Sequence, residues 1–429
     1  MRKQFLLSIL LGSLGFAVGC GSSGSTPAGI PGGGGTTANV LSIVVDGGLP
    51  ANKTNGFIYT NGAFASATIC APGSSSNCVT VDHLLVDTGS EGLRVLQSAI
   101  SSLNLPAVNA SNGPAAWECV QFVDGSVLWG PVQAATVTMA GETAKNIPIQ
   151  VVSTSSSNLP GSCAGTSENT PASLGANGIL GVGLEPIDCG GACDPTGNAT
   201  PLVPAYYTCS SAPCSPAFVS ESNQVINPVF ALPVDNNGVI VELPSVSTSA
   251  ATVKGSLVFG IGTENNNQLP SSASFFNLCG DLFNTIYQNV TFGVNPSSCT
   301  GPGSFIDSGS NALFFPNVGS SPITVCPRST PVGDLSAFYC PAASLSLSAT
   351  NEDPTNGFQA PVNFSVDNAQ TLLTGASTQS DAAFSGLGGP VLVTAGFDWG
   401  LPFFYGKNVY TGIDLAITQT SSQTPFWAY

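Results

Sequence analysis

Apolar positions along this chain come in short, partly alternating runs broken by turn formers, a pattern that predicts strands rather than amphipathic helices. Val40 to Val45 reads as one strand. Phe64 to Cys70 and Cys78 to Val86 read as a pair around a Gly/Ser-rich loop. Trp117 to Met139 reads as a hairpin whose turn is Asp124-Gly125, a favourable tight-turn pair. Ile147 to Val152, Val225 to Leu232, Val239 to Leu243 and Ser256 to Phe259 continue the pattern. The second half adds Ile286 to Val294, Ser304 to Ile306, Leu345 to Leu347, Val362 to Val366, Val391 to Thr394 and Val409 to Ile417. Asp188 to Pro216 is a Cys-rich insertion with too many turn formers to be regular. Only short helices are expected, near Val95 to Leu103 and Ala369 to Thr374.

Composition sharpens this all-β reading. Charged residues make up 7% of 429, while 50 are Gly and 32 are Pro, which suits many short strands and turns. The 42% hydrophobic content argues against disorder, because enough apolar surface exists to offset the ordering entropy. The length allows two or three domains, or one large all-β unit. Net charge is −16, and no basic cluster is present to neutralise phosphates, so a nucleic-acid surface is excluded.

Arg2 and Lys3 precede an apolar stretch, Phe5 to Val18, that is too short to span a bilayer comfortably. Ala17-Val18-Gly19-Cys20 follows and resembles the bacterial lipobox, with Ala17 where Leu is more usual. The resemblance implies a signal peptide over 1–19, a lipid on Cys20, and a chain anchored to the cell envelope. In a Gram-negative cell that means the outer membrane or a periplasmic face. An ordinary signal peptide cleaved nearby is the competing reading. Gly21 to Ala38 is Gly/Ser/Thr/Pro-rich, so 20–38 reads as lipidated Cys plus flexible tether.

Of 13 Cys, setting Cys20 aside leaves an even set: Cys70, Cys78, Cys119, Cys163, Cys189, Cys193, Cys209, Cys214, Cys279, Cys299, Cys326 and Cys340. In an exported chain that implies disulfides, with connectivity left open. Cys70–Cys78 and Cys326–Cys340 are candidate local staples. Zinc on Cys189, Cys193, Cys209 and Cys214 is disfavoured: the spacing is not two CxxC knuckles and no His is nearby.

One short pattern occurs twice. Leu84-Leu85-Val86-Asp87-Thr88-Gly89-Ser90 and Ser304-Phe305-Ile306-Asp307-Ser308-Gly309-Ser310 both read as an apolar strand followed by Asp-(Thr/Ser)-Gly-Ser. A single copy is a polar β-turn by default. Two copies, each directly after a strand, predict two related lobes and a paired site. Two Asp side chains brought together share one proton, because like charges at contact cannot both ionise. One carboxylate can then act as general base on a water while the other, neutral, hydrogen-bonds the substrate carbonyl and later helps protonate the leaving amine. Such turns need small residues for close approach, here Gly89 and Gly309. The hydroxyls of Thr88 and Ser308 can lock the loops across the junction, and those of Ser90 and Ser310 can hold the outer carboxylate oxygens.

This chain therefore resembles the pepsin-like aspartic peptidases. Asn177-Gly178-Ile179-Leu180-Gly181-Val182-Gly183 looks like the apolar-apolar-Gly segment that braces the first active-site loop. Gly255 to Gly260 and Tyr410-Thr411-Gly412-Ile413-Asp414 resemble strands late in each lobe. The resemblance implies an all-β fold of two lobes, 39–262 and 263–429, with a cleft between them for a polypeptide substrate or protein ligand. It implies Asp87 and Asp307 as catalytic residues and no metal or other cofactor. The hairpin containing Phe122, Asp124 and Gly125 matches the flap, with Phe122 where the family usually has Tyr. Arg94 stands where Trp is common, and Gly400-Leu401-Pro402 is an imperfect copy of the second bracing segment. With its lipobox and the ending Thr424-Pro425-Phe426-Trp427-Ala428-Tyr429, the chain also looks like a bacterial lipoprotein family classed as a domain of unknown function.

Other chemistries find little. His83 is the only His, so any Ser-His or Cys-His triad would need it, and a structural role is the default. No HExxH or carboxylate cluster with ligand spacing is present, and Gly32 to Gly35 is not followed by the Lys of a phosphate loop. Trp117, Trp129, Trp399 and Trp427 read as packing residues. Two function classes follow: an aspartic endopeptidase, or a catalytically silent relative that binds a protein or surface polymer.

Overall fold

The computed structural model describes residues 37–50, 58–122, 124–155, 158–194, 204–209, 212–319, 321–328, 330, 334–375, 380–391, 395–416 and 421–429. Cys20 and the expected signal peptide lie outside them, as does most of the expected tether. Among the described residues regular structure is nearly all strand, so the chain is all-β. The structure describes two short α-helices in full, α1 (Pro171–Leu174) and α2 (Ala369–Thr374), capped by the side chains of Thr170 and Asn368.

The first half supplies β1 (Val40–Val45), β2 (Phe64–Cys70), β3 (Cys78–Asp87), β4 (Glu91–Leu96), β5 (Ala116–Gln121), β6 (Ser126–Met139), β7 (Glu142–Val152) and β8 (Gly178–Val182). It continues with β9 (Tyr206–Thr208), β10 (Gly238–Leu243) and β11 (Val253–Phe259). The second half supplies β12 (Phe275–Asn277), β13 (Asn284–Tyr287), β14 (Val290–Phe292), β15 (Phe305–Ile306) and β16 (Leu313–Pro316). It ends with β17 (Leu345–Glu352), β18 (Gln359–Val366), β19 (Gly388–Val391), β20 (Asp398–Trp399), β21 (Lys407–Gly412) and β22 (Phe426–Ala428).

A sixteen-stranded sheet holds most of the first-half strands and continues through β1, β11, β10, β21, β22 and β12. The two halves are thus joined in one ladder: β10 pairs antiparallel with β21 from Gly238↔Gly412 to Leu243↔Lys407. The remaining second-half strands form two four-stranded sheets, β14-β13-β17-β18 and β15-β20-β16-β19.

One arrangement occurs twice. β3 runs parallel to β8, β8 antiparallel to β4, and β4 parallel to β7. In the second half β15 runs parallel to β20, β20 antiparallel to β16, and β16 parallel to β19. Strand order and relative direction are the same in both. In each copy the strand that ends at an Asp is followed by a tight turn and a return strand, and a third strand lies between them.

The structure corrects several element boundaries. Val95 to Leu103 is not a helix: Val95 and Leu96 end β4, paired with Val151 and Val152, and a 3-10 turn follows over Gln97–Ile100. Ile286 to Val294 is two strands, because Gln288 and Asn289 both take positive φ (52° and 62°) and turn the chain. Val225 to Leu232 is loop and turn whose apolar side chains pack inward. The Cys-rich insertion includes β9, which extends the sheet beside β5. Part of Val391 to Thr394 and the end of Val409 to Ile417 lie outside the described residues.

Twelve cysteines form six disulfides: Cys70–Cys78, Cys119–Cys163, Cys189–Cys193, Cys209–Cys214, Cys279–Cys299 and Cys326–Cys340. The tryptophans pack: Trp399 and Trp427 are fully buried, and Trp129 lies against Trp117 and Tyr207 with ring centroids 5.3 and 5.4 Å apart.

Candidate active site

Strand β3 ends in a run buried on both faces, Leu84-Leu85-Val86-Asp87: β2 and β8 pair with its two edges, Leu84 and Val86 pack into one apolar cluster, and Leu85 packs into another. That burial carries a carboxyl group into the interior: Asp87 is 4% exposed and Asp307 1%. The two Asp side chains meet. A Cβ placed on Gly89 would lie 2.6 Å from Asp307 Cγ, and one on Gly309 would lie 2.7 Å from Asp87 Oδ1. Only glycine permits this approach.

The turns are built alike. The Gly89 amide donates to Asp87 Oδ1 at 2.9 Å, and the Gly309 amide to Asp307 Oδ1 at 2.7 Å. The Ser90 hydroxyl lies 2.6 Å from Asp87 Oδ2, and that of Ser310 lies 2.8 Å from Asp307 Oδ2. Across the junction, the Ser308 amide donates to Thr88 Oγ1 at 3.0 Å while Thr88 Oγ1 donates to the Ile306 carbonyl at 3.2 Å. Reciprocally, the Thr88 amide donates to Ser308 Oγ at 3.1 Å while Ser308 Oγ donates to the Val86 carbonyl at 2.7 Å. Each hydroxyl thus satisfies a buried amide and a buried carbonyl of the opposite turn, and the pair relates the turns by an approximate two-fold.

Burial pushes the Asp307 carboxyl well above the usual carboxylate range, and any charge on Asp87 or Asp398 and a hydrogen bond shared with Asp87 push the same way. Two carboxyls in contact share a proton as a pair, and a neutral Asp307 can donate a hydrogen bond.

Asp398 is a third carboxyl here, which sequence reasoning did not single out. It begins β20, is 2% exposed, and its Oδ2 lies 2.6 Å from the same Ser310 hydroxyl that contacts Asp307. Its signal in the sequence is a lone acid inside an apolar run, Phe397-Asp398-Trp399-Gly400-Leu401. Tyr59 is a second addition. It is buried, meets Phe64 edge-on at 5.4 Å, and its phenol is raised by burial and then by the charges of Asp87, Asp124 and Asp307.

Phe122 closes β5, with its amide donating to the Ser126 carbonyl at 2.9 Å. Its ring belongs to a buried cluster with Tyr59, Phe64, Leu85, Leu128 and Ile179. Asp124 and Gly125 form the exposed turn: Asp124 Oδ1 accepts the Ser126 amide at 2.8 Å, and Gly125 takes φ 81°. Arg94, where Trp was the expectation from resemblance, is buried and pairs with Glu118 at 2.9 Å and Asp188 at 3.2 Å. Asp188 also accepts from the Tyr206 hydroxyl at 2.6 Å. His83 lies 3.4 Å from Asp46 and 3.2 Å from Asp82, with its ring 5.3 Å from that of Phe64.

Residues 35–429 match the model of a protein family described as protein of unknown function (DUF3443). No curated protein matches the chain.

Proposed function

We propose that this chain, which belongs to the DUF3443 family of proteins of unknown function, is an aspartic-type endopeptidase built as two pepsin-like lobes, 39–262 and 263–429. The observation that carries the reading is the contact of Asp87 and Asp307 on two turns locked by reciprocal Thr88 and Ser308 hydrogen bonds. The repeated four-strand arrangement supports the two-lobe assignment. Fold alone does not give function, so the weight rests on the pair.

The proposed reaction follows from the proton count. In the scheme the pair starts with one proton, placed on Asp307, which leaves Asp87 as the base. Asp87 takes a proton from a water held by the pair as the water oxygen bonds to the scissile carbonyl carbon. Asp307 donates a hydrogen bond to the developing oxyanion. The C–N bond then breaks, and the leaving nitrogen takes the proton gained by Asp87. No cofactor enters this scheme. The substrate is a polypeptide lying between the lobes, beneath the hairpin that carries Phe122, Asp124 and Gly125.

The six disulfides support an oxidising compartment. With the lipobox-like Cys20 they favour a chain tethered by lipid to the cell envelope. Incorporation of labelled fatty acid into the wild-type chain but not into Cys20→Ser tests the anchor.

The inward packing of Phe122 and its lack of a hydroxyl favour a second reading, a protein-binding relative without catalysis. Digestion of a reduced, unfolded protein by the full chain in detergent, with Asp87→Asn as control, separates the two. Cleavage lost in Asp87→Asn supports the peptidase. A folded chain that binds peptides without cutting them at any acidic or neutral pH supports the binding protein.

A further inference from the structure

Ser310 contacts two carboxyl groups with one hydroxyl. Its Oγ lies 2.8 Å from Asp307 Oδ2 and 2.6 Å from Asp398 Oδ2. A hydroxyl carries a single hydrogen, so it donates to one of these oxygens and must accept from the other. Whichever carboxyl donates to Ser310 is protonated on that oxygen. Two arrangements are possible in principle, and the surroundings choose between them.

Asp307 is provided for as an acceptor. Its Oδ1 receives the Gly309 amide at 2.7 Å, and its Oδ2 faces Ser310. Asp398 is not. Its Oδ1 is buried and has no hydrogen-bond partner among the described residues. An ionised Asp398 would bury a charged oxygen with no donor, which is far costlier than burying a neutral carbonyl oxygen. Asp398 is 2% exposed, on a strand flanked by β15 and β16, where it stands in register with Phe305 and Phe314. The neighbours whose charge acts on Asp307 are Asp87 and Asp398, and the one whose charge acts on Asp398 is Asp87: all are acidic, with no cation among them.

We propose that Asp398 is a positioning residue of the site: a neutral third carboxyl that donates its proton to Ser310 and so fixes that hydroxyl as donor to the outer oxygen of Asp307. The order is Asp398 O–H to Ser310 O–H to Asp307 Oδ2. Burial pushes the Asp398 carboxyl well above the usual carboxylate range; the hydrogen bond with Ser310 pulls it down and the nearby Asp87 pushes it up, and burial outweighs the pull. The chain also stores a proton. When Asp307 is deprotonated, the Asp398 O–H bond can break as a new Ser310 O–H bond forms, while the old Ser310 O–H bond breaks as an Asp307 O–H bond forms. One proton moves from Asp398 to Asp307, and atoms and charge balance. The catalytic part of this inference rests on the peptidase reading, whereas the protonation state of Asp398 does not.

The test uses the full chain and two independent readouts. Infrared difference spectra at pH 7, wild type minus Asp398→Asn, should contain the carbonyl stretch of a protonated carboxylic acid. Its absence overturns the proposal, whatever the enzyme does. In kinetics, Asp398→Ala should lower kcat about tenfold to a hundredfold with little change in KM, through loss of positioning. Asp398→Asn, which keeps a neutral donor, should recover most of that loss. Its alkaline limb should stay where the wild-type limb lies. A fall of that limb by about one pH unit or more, as removal of a neighbouring negative charge would give, shows that Asp398 was ionised and overturns the proposal. A carboxylic acid band in a chain that cleaves nothing retires the peptidase reading and leaves the neutral Asp398 standing.

Discussion

Gly89 lies so close to Asp307 that a Cβ on it would sit 2.6 Å from the Asp307 Cγ, and Gly309 stands in the same relation to Asp87. The first carboxyl is reached through the glycine of the second one's turn, and the converse holds too. A methyl group at either glycine must push the partner carboxyl away. Gly89→Ala and Gly309→Ala should each cost about 1–3 kcal/mol in stability through overpacking. Both should abolish any dyad-dependent cleavage. Gly161→Ala, at an exposed position with open space around it, should be silent. Chemical denaturation with parallel activity measurement checks all three.

The reciprocal lock makes a second expectation. Thr88→Val leaves the Ser308 amide and the Ile306 carbonyl buried without their partner, and Ser308→Ala does the same to the Thr88 amide and the Val86 carbonyl. Each should destabilise the protein by about 1–3 kcal/mol. The two changes act on one network, so the double mutant should depart from additivity by roughly 0.5–3 kcal/mol. A double-mutant cycle in urea measures this. Strict additivity would show that the turns are held apart from one another.

The turns were legible because their signature is local: an apolar strand, an Asp, a hydroxyl residue and a Gly, twice. Asp398 was not, since it reaches Ser310 through a two-residue strand parallel to β15, too short for periodicity to reveal. The all-β class followed from the short apolar runs, but Gln288 and Asn289 turn the chain without a Gly or Pro to mark the place. Val225 to Leu232 looked like a strand because burial of a packed loop and of a strand demand the same apolar residues. Of the disulfides, Cys70–Cys78 and Cys326–Cys340 were open to reading from proximity. Cys119–Cys163, separated by 44 residues, depends on where β5 meets the loop beyond β7. Arg94 was read as the absence of a Trp. Its role as the cation of a buried network depends on Glu118 and Asp188, from distant segments.

Arg94→Met should be among the more damaging single changes outside the catalytic turns. It leaves Glu118 and Asp188 close together without their cation, and removing one partner from a buried ion pair typically costs about 3–5 kcal/mol. The expected result is a lower denaturation midpoint, partly recovered on acidification as the stranded carboxyls take up protons.

Stability should fall as pH rises. Burial, with Asp281 nearby, pushes Glu91 up to about 8. Glu185 and Asp281 are also raised, chiefly by burial. His83 is raised through its hydrogen bond to Asp46. In each case the folded state binds protons more tightly than the unfolded chain. For Glu91 the stabilisation is fully present below about pH 4.5, the unfolded value, and is lost as pH climbs through its folded value near 8. The slope is about −1.4 kcal/mol per pH unit for each fully protonated carboxyl within that window. Thermal unfolding from pH 4 to 8 should give its highest Tm at the acid end, and Glu91→Gln should flatten the fall. A Tm that rises steadily from pH 4 to 8 would contradict this assignment.

The central claim is that Asp87 and Asp307 form one working pair, and the most direct measurement is a pH profile of peptide cleavage with a purified full-length chain and its Asp87→Asn and Asp307→Asn variants. The profile should peak below neutrality, where a shared proton is retained. Both substitutions should abolish cleavage while circular dichroism shows the fold intact. Cleavage that survives both substitutions, or a folded wild-type chain that cuts nothing from pH 3 to 7 in a broad peptide library, would contradict it.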